Sequence, residues 1–426
     1  MMRTRISGGR VIDPATNTDA QLDVYIADGK IVALGEAPDG FSIDQVIQAD
    51  DKLVCPGLID LSARLGEPGF EHKATIASET RAAISSGITT LVCPPDTDPV
   101  IDSAAVAEMI QRHSTRAGLT RVLPLGALTQ GLEGQQLSEM MTLKAAGVIG
   151  LSNAQRPVKS SLVMRRSMEY AATHGITLFI TPLDADLADG CMHEGPLSTR
   201  LGLPGIPESA ETAALARDLV LVEQTGVRAH FCRLSTAKSV EMIAHAQQQG
   251  LPVTADVSAH QLYLTDIDIN EFNSYCHVLP PLRSQRDRDA LRQGVKDGVI
   301  SAICSDHSPH EEDAKQAPFP STEPGMSTLE TFMPLTLRLA EEGVVDIMGA
   351  IRCITQGPAD ILGINAGTLQ PGTIADICII DPDMSWVVTP DVLLSQGHNS
   401  AFLGWEMFGR ATQTFMKGNL IYSLEQ

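Results

Sequence analysis

Apolar and polar positions change their period twice along the chain. Up to about residue 54 the apolar positions come in short runs broken by tight turns. Residues 22–26 and 30–34 flank Asp28-Gly29. An Asp-Gly pair between two apolar runs marks a β-hairpin. The C-terminal end has the same texture: residues 372–381 read as a strand closed by Pro382, and residues 412–422 as a final hairpin turning at Lys417-Gly418-Asn419. The two ends are expected to form one small β-sandwich, residues 1–54 with 365–426.

Between them, helical periodicity alternates with short apolar runs. Helices are expected over 77–86, with Gly87 as the C-terminal stop, and over 137–146, 161–174, 211–225, 237–249 and 286–298. Strands are expected over 89–92, 148–151, 177–181, 228–232, 252–257 and 300–304. Repeated units of this kind give parallel strands with crossover helices. About eight fit between residues 55 and 364, so the expected fold is an α/β (β/α)₈ TIM barrel. Its functional residues should follow the apolar runs, at the C-terminal ends of the strands. One long irregular stretch, residues 311–326, carries Pro318, Pro320 and Pro324 and should lie over that face.

Composition narrows the function classes. The net charge is −21 and no lysine or arginine run stands out, which argues against a nucleic-acid or anionic-membrane partner. No apolar run reaches the roughly 18 residues of a membrane span, and residues 1–6 lack the apolar core of a signal peptide. A cytoplasmic protein is expected. The eight cysteines form no C-x-x-C pair and several lie in strand-like runs, so buried free thiols are expected.

The candidate chemistry begins at Val54-Cys55-Pro56-Gly57-Leu58-Ile59-Asp60-Leu61-Ser62-Ala63-Arg64-Leu65-Gly66. Further motifs are Pro94-Pro95-Asp96-Thr97-Asp98-Pro99, the run Arg200 to Pro207 with Glu211, Ser235-Thr236-Ala237-Lys238-Ser239-Val240, Pro280-Pro281-Leu282-Arg283, Ser305-Asp306-His307-Ser308-Pro309-His310 and Thr328-Leu329-Glu330-Thr331. Together they resemble the amidohydrolase superfamily and, within it, bacterial dihydroorotase, over the whole chain. The resemblance implies an amidohydrolase-type barrel whose strand ends hold two zinc ions.

The implied ligands are replaced. Where the family has two histidines one residue apart on the first strand, this chain has Ser62 and Arg64. The position of the bridging carboxylate carries Asn153, and the next two histidine positions carry Thr181 and Arg233. Asp306 alone is kept. Arginine stays protonated at physiological pH and repels a dication. At the implied substrate positions stand Gly66, Asp96 and Leu279. A two-zinc centre carries about +4, offset by roughly −3 from its anions. Arg64 and Arg233 with Asp306 also sum to +1, so the two guanidiniums are expected to pair with Asp306 and fill the metals' space. His307 and His310 read as framework residues. A single metal on Asp306, His310 and His260 is the competing arrangement. The remaining histidines, His193 and His230 among them, show no ligand-like grouping. No G-x-S-x-G elbow occurs.

No catalytic residue, metal or cofactor is therefore expected. The resemblance is to non-catalytic dihydroorotase homologues, and it implies assembly with the aspartate carbamoyltransferase catalytic chain in de novo pyrimidine biosynthesis, with self-association as a homodimer. Two alternatives stand beside it. One is a cyclic-amide hydrolase with a one-metal or metal-free site. The other is a ligand-sensing pseudoenzyme that binds an anionic pyrimidine precursor through Arg64, Arg233, His260 and Arg283.

Overall fold

The structure is a computed structural model that describes residues 3–424. Eight strands form the barrel: β1 Leu58–Asp60, β2 Ile88–Cys93, β3 Arg121–Pro124 continued by Gly126–Ala127, β4 Leu151–Ser152, β5 Leu178–Ile180, β6 Ala229–Phe231, β7 Val253–Ser258 and β8 Ala302–Cys304. Each pairs in parallel with the next. The ring closes above β8 and β1, where His307 N–H donates to Ser62 O at 3.1 Å and Arg64 N–H donates to His307 O at 2.9 Å. That closure sets Ser62, Arg64 and Asp306 side by side.

The crossover helices form for local reasons. Ile76–Ser85 begins at Thr75, which caps the backbone N–H of Ser78, while the Ser78 hydroxyl accepts from Thr75 N–H. It stops at Gly87, whose φ is +82°. A Cβ there would run into Cys378 Sγ, so no larger residue fits. Ser161–Thr173, Ala237–Gln248 and Gln285–Lys296 are capped in the same manner by Ser160, Thr236 and Ser284.

Both chain ends meet in one pair of sheets. The antiparallel pairing of Leu53–Pro56 with Ile377–Val387 joins them within a six-stranded sheet. A four-stranded sheet carrying Thr4–Ser7 lies against it. Ile6, Val11, Ile26, Val54, Ile379 and Phe415 form the core between the sheets, each at most 1% exposed. Burying a side chain of this size contributes about 1.5–3 kcal/mol.

Several elements differ from the sequence reading. Pro382 does not end its strand, because a register shift between Asp381 and Ser385 takes it out of the ladder, where its missing N–H costs nothing. The helix Ala104–Ala117 and the strand β3 after it complete the second unit and were not anticipated. The helix expected over 137–146 spans only Met140–Ala145, because Leu137 instead bridges Thr129. Leu329–Glu341 follows β8 and is buried on nearly every side, so it has no polar face to reveal its period. Between the strands Ile377–Val387 and Glu406–Met416 the chain leaves the sheet and lies on the barrel, where Leu394 and Ser395 N–H groups donate to Glu330 and Asn399 donates to Ser308 O. No described helix is long and apolar enough to cross a membrane, and all eight cysteines are buried and unpaired.

Candidate functional site

The ends of β1, β5, β6 and β8 converge on one cluster. Arg233 follows β6 with φ +55° and Asp306 follows β8 with φ +50°. Left-handed backbone of this kind costs a non-glycine residue about 1–2 kcal/mol. Arg233 is held in it by its own N–H, which donates to Asp256 Oδ1 at 2.5 Å. Its side chain donates to Ser62 Oγ at 3.0 Å and to Thr181 Oγ1 at 2.6 Å. Its Nε lies 3.5 Å from Asp306 Oδ1. Burial opposes the Arg233 charge, but Asp306 more than offsets this and its pKa is raised. Burial raises the Asp306 pKa, with Arg233 and Arg64 pulling it back.

Arg64 divides its charge. Its Nε donates to Asp96 Oδ2 at 3.0 Å with Nη2 also 3.0 Å from that oxygen, and Nη1 stays 3.7 Å from Asp306 Oδ1. Asp96 therefore neutralises Arg64 rather than repelling a ligand. The cluster holds two guanidiniums and two carboxylates, and its sum is zero rather than the +1 anticipated.

Other expected members stand apart. Asn153 turns away: its Oδ1 accepts from Thr129 Oγ1 at 2.7 Å and its amide donates to Leu132 O and Arg156 O. Those buried groups need partners, and the asparagine supplies them. Gly66 has φ +69° and a Cβ there would strike Ala74 O, so this backbone takes no arginine. Leu279 is half-buried and offers its carbonyl to Gln155 Nε2 at 2.6 Å. Arg283 does not join Arg64 and Arg233 in an anion site. It donates to Ser235 Oγ, His193 Nδ1 and Ile206 O at 3.1, 3.2 and 2.7 Å. With Glu211, which accepts from the backbone N–H groups of Ser235 and Thr236, it ties three of the sequence motifs into one buried framework.

The histidines divide similarly. His307 Nδ1 accepts from Thr328 N–H, so Nε2 carries the proton and donates to Glu79 Oε2 at 2.7 Å. It is a framework residue. His260 is fully buried and neither ring nitrogen has a partner. Burial and then Arg233 push its pKa down to about 3. His310 donates from Nε2 to Pro324 O at 3.1 Å.

Asp306, His310 and His260 do not gather as a metal trio. Among the described residues, the sets with three donor atoms within 4.8 Å of one another are His230–Cys232–Asp256 and His193–Glu208–Asp287. Both include a histidine that the sequence reading set aside. His230 and Asp256 meet across β6 and β7, and no spacing along the chain announces that. Neither set fits a dication well. His230 has both nitrogens engaged, to Thr254 Oγ1 at 2.9 Å and Asp256 Oδ2 at 2.8 Å, and burial holds the Cys232 thiol well above its ordinary pKa. Arg283 abuts His193. At the barrel mouth Ser62 and Thr181 are neutral, and the carboxylates of Asp96 and Asp306 are taken up by the two guanidiniums, so those residues do not fit the family's zinc pair either.

Above the cluster opens a cavity of about 230 Å³ bordered by Arg64, Lys73, Asp96, Gln155, His310 and Glu323. Its lid is the 311–326 stretch, folded as two short 3₁₀ turns. Buried Lys315 pins it by donating to Glu323 O at 2.5 Å, with His277 O at 3.4 Å. A larger groove, about 750 Å³, opens at the other end of the barrel beside Ser301 and Arg352 and contains no member of the cluster.

Comparison with known proteins places this geometry. Residues 51–239 match the dihydro-orotase-like family model. The chain is 47% identical over 425 residues to a dihydroorotase-like protein of Pseudomonas putida, covering all of both chains. It is 47% identical to a dihydroorotase-like protein of Pseudomonas aeruginosa, covering 99% of this chain and all of the other. A dihydroorotase of Geobacter sp. strain M21 is 42% identical, with 99% of each chain covered. Among solved structures, the L-hydantoinase (dihydropyrimidinase) of Arthrobacter aurescens superposes with a TM-score of 0.88 at 21% identity, covering 100% of this chain and 98% of that one. That likeness shows the fold, the barrel with its β-sandwich. With full-length relatives this similar, the chain belongs to the dihydroorotase-like family.

Proposed function

We propose that this chain is a non-catalytic member of that family, which assembles with aspartate carbamoyltransferase and supports it in pyrimidine biosynthesis. The observation that carries the first half is the charge at the strand ends. Arg233, 5% exposed and held by Ser62 and Thr181, occupies the surroundings of Asp306. A fixed guanidinium repels a metal and cannot generate the metal-bound nucleophile on which hydrolysis in this superfamily depends. What supports the second half is the contrast between exchanged donors and a maintained framework of Arg283, Glu211 and Ser235. A role carried by the outside of the molecule needs the fold but not the centre.

The test is co-expression of the tagged chain with the aspartate carbamoyltransferase catalytic chain. The reading predicts stoichiometric co-elution and no dihydroorotate turnover by the purified chain. Failure to co-elute removes the partnership. Turnover removes the non-catalytic reading.

A second reading, a cyclic-amide hydrolase with a one-metal or metal-free site, draws on relatives at 40–42% identity that carry the name dihydroorotase. It predicts dihydroorotate turnover by the purified chain.

A further inference from the structure

We propose that Cys55 and Cys378 join as a disulfide that ties the two ends of the chain together when the protein folds in the presence of a disulfide oxidant. The two residues lie far apart in sequence and meet in the six-stranded sheet. In the antiparallel pairing of Leu53–Pro56 with Ile377–Val387, Cys378 is the direct partner of Cys55. Gly57 N–H donates to Asp376 O at 2.8 Å. Hydrogen-bonded and non-bonded pairs alternate along an antiparallel ladder. Pro56 and Ile377 therefore fall at a non-bonded pair, where the missing N–H of proline costs nothing, and Cys55 and Cys378 fall at a bonded one. The Cα atoms of such a pair are about 5.5 Å apart, within the roughly 4.4–6.8 Å that a disulfide spans.

The two side chains share a face. Val54, Ile377 and Ile379 pack into the core between the two sheets. Leu53, Cys55, Cys378 and Ile380 alternate with them and pack into the core of the barrel. Both thiols thus lie in the seam between sheet and barrel, beside Gly87, where a Cβ would meet Cys378 Sγ. Closing the bond adds no atom to that seam. The other cysteines within strands face no thiol across the ladder: Cys93 pairs with Pro124 and Cys304 with Ser258.

Burial decides when the bond forms. Neither residue is exposed to solvent, and burial holds both thiols well above their ordinary pKa. The thiolate is the form that attacks a disulfide, so the folded, reduced protein is inert. While the chain folds, before the sheet closes on the barrel, both sulfurs are wet and ionise at their ordinary value. One thiolate then attacks glutathione disulfide and expels one glutathione thiolate. The second attacks the resulting mixed disulfide and expels the other. Two protein thiols and one glutathione disulfide become one protein disulfide and two glutathione thiols, with two electrons passing from the protein to glutathione. Docking of the sheet shields the finished bond from reductant as it shields the thiols from oxidant, and the chain keeps the redox state in which it folded. The ring so closed contains the whole barrel, and a cross-link restricts the unfolded chain more as its loop lengthens.

The experiment is disulfide mapping of the full-length chain. It is unfolded in urea with reductant and refolded by dilution into glutathione disulfide with glutathione, or into glutathione alone. Remaining thiols are alkylated, and non-reduced peptides are identified by mass spectrometry. The same map is made on chain expressed in an oxidising cytoplasm, so the result does not depend on refolding yield. One disulfide per chain is expected in both oxidised samples, linking the peptides that carry Cys55 and Cys378. The natively folded, reduced chain placed in the oxidising buffer is expected to form it at least tenfold more slowly than the refolding chain, as the shielding of buried thiols requires. Oxidised wild type is expected to melt several degrees above reduced wild type, whereas Cys55→Ala/Cys378→Ala melts at one temperature in either buffer. A disulfide at another pair overturns the proposal, as do glutathione adducts at Cys55 or Cys378 without closure. A linked chain that melts below the reduced one also overturns it, because the register would then not accommodate the bond. None of these outcomes depends on the partner or on the chemistry of the barrel mouth.

Discussion

Arg233 Nε stands 3.5 Å from Asp306 Oδ1, an ion pair without a hydrogen bond, and no group among the described residues accepts the Nε hydrogen. Both residues are about 5% exposed. Truncating the arginine leaves a buried carboxylate with one cation, Arg64 at 3.7 Å, and two long hydrogen bonds from Ser62 and Ser258 at 3.5 Å. Arg233→Ala is therefore expected to cost about 3–5 kcal/mol, read from urea unfolding. The double variant Arg233→Met/Asp306→Leu removes both charges and should recover most of that loss.

Arg64 and Asp96 are a different kind of pair, with each side chain 21% exposed. Asp96→Ala is expected to cost about 1 kcal/mol, well below Arg233→Ala. In a double-mutant cycle with Arg64→Ala, the two losses should add to more than the double variant shows, because both remove the same contact.

Acid should destabilise the protein from the neutral side. His260 and His310 are pushed down to about 3, and His277 to about 4, each chiefly by burial. Below the ordinary histidine value of about 6.5 the unfolded chain takes up protons that the folded chain refuses. Their contribution is complete above that value and is lost as pH falls toward their folded values. Asp60 and Asp218, raised to about 6 by burial, act oppositely, since folded protein takes up their protons first and gains stability as pH falls below that point. The loss below neutrality is therefore carried by the histidines, against a partial gain from Asp60 and Asp218 that sets in near pH 6. His260→Leu should flatten the slope by up to about 1.4 kcal/mol per pH unit, measured as unfolding free energy against pH.

The lid over the cavity depends on one buried cation. Lys315, brought down to about 8 chiefly by burial, donates to carbonyls on both sides of the stretch. Lys315→Ala leaves Glu323 O without its donor, while His277 O keeps Gly325 N–H at 2.8 Å, at about 1–3 kcal/mol of local cost. Limited proteolysis should then cut within residues 311–326 several-fold faster than in wild type, with global unfolding little changed.

The barrel was legible where one helix face is polar, as in Ser161–Thr173 and Ala237–Gln248, because the 3.6-residue period survives only with a wet side. Leu329–Glu341 lacks one, and its period was invisible. At the site, the meeting of Ser62, Arg64, Thr181, Arg233 and Asp306 followed from the family resemblance, which sets the register of the strand ends. The turning away of Asn153 and Arg283 did not, because their orientation is decided by buried carbonyls and hydroxyls on other segments, such as Leu132 O and Ser235 Oγ. Nor did the pairing of Asp96 with Arg64, which come from the ends of different strands. The His230–Asp256 contact joins residues 26 positions apart on neighbouring strands, a relation that exists only after the sheet has formed.

The central claim is that guanidinium groups, not metal ions, fill the barrel mouth. Elemental analysis of the chain purified without chelators, repeated after zinc loading and desalting, tests it most directly. The account predicts no stoichiometric zinc in either sample, and zinc uptake in the loaded Arg64→His/Arg233→His/Ser62→His variant. A full equivalent of zinc retained by the wild-type chain would contradict it.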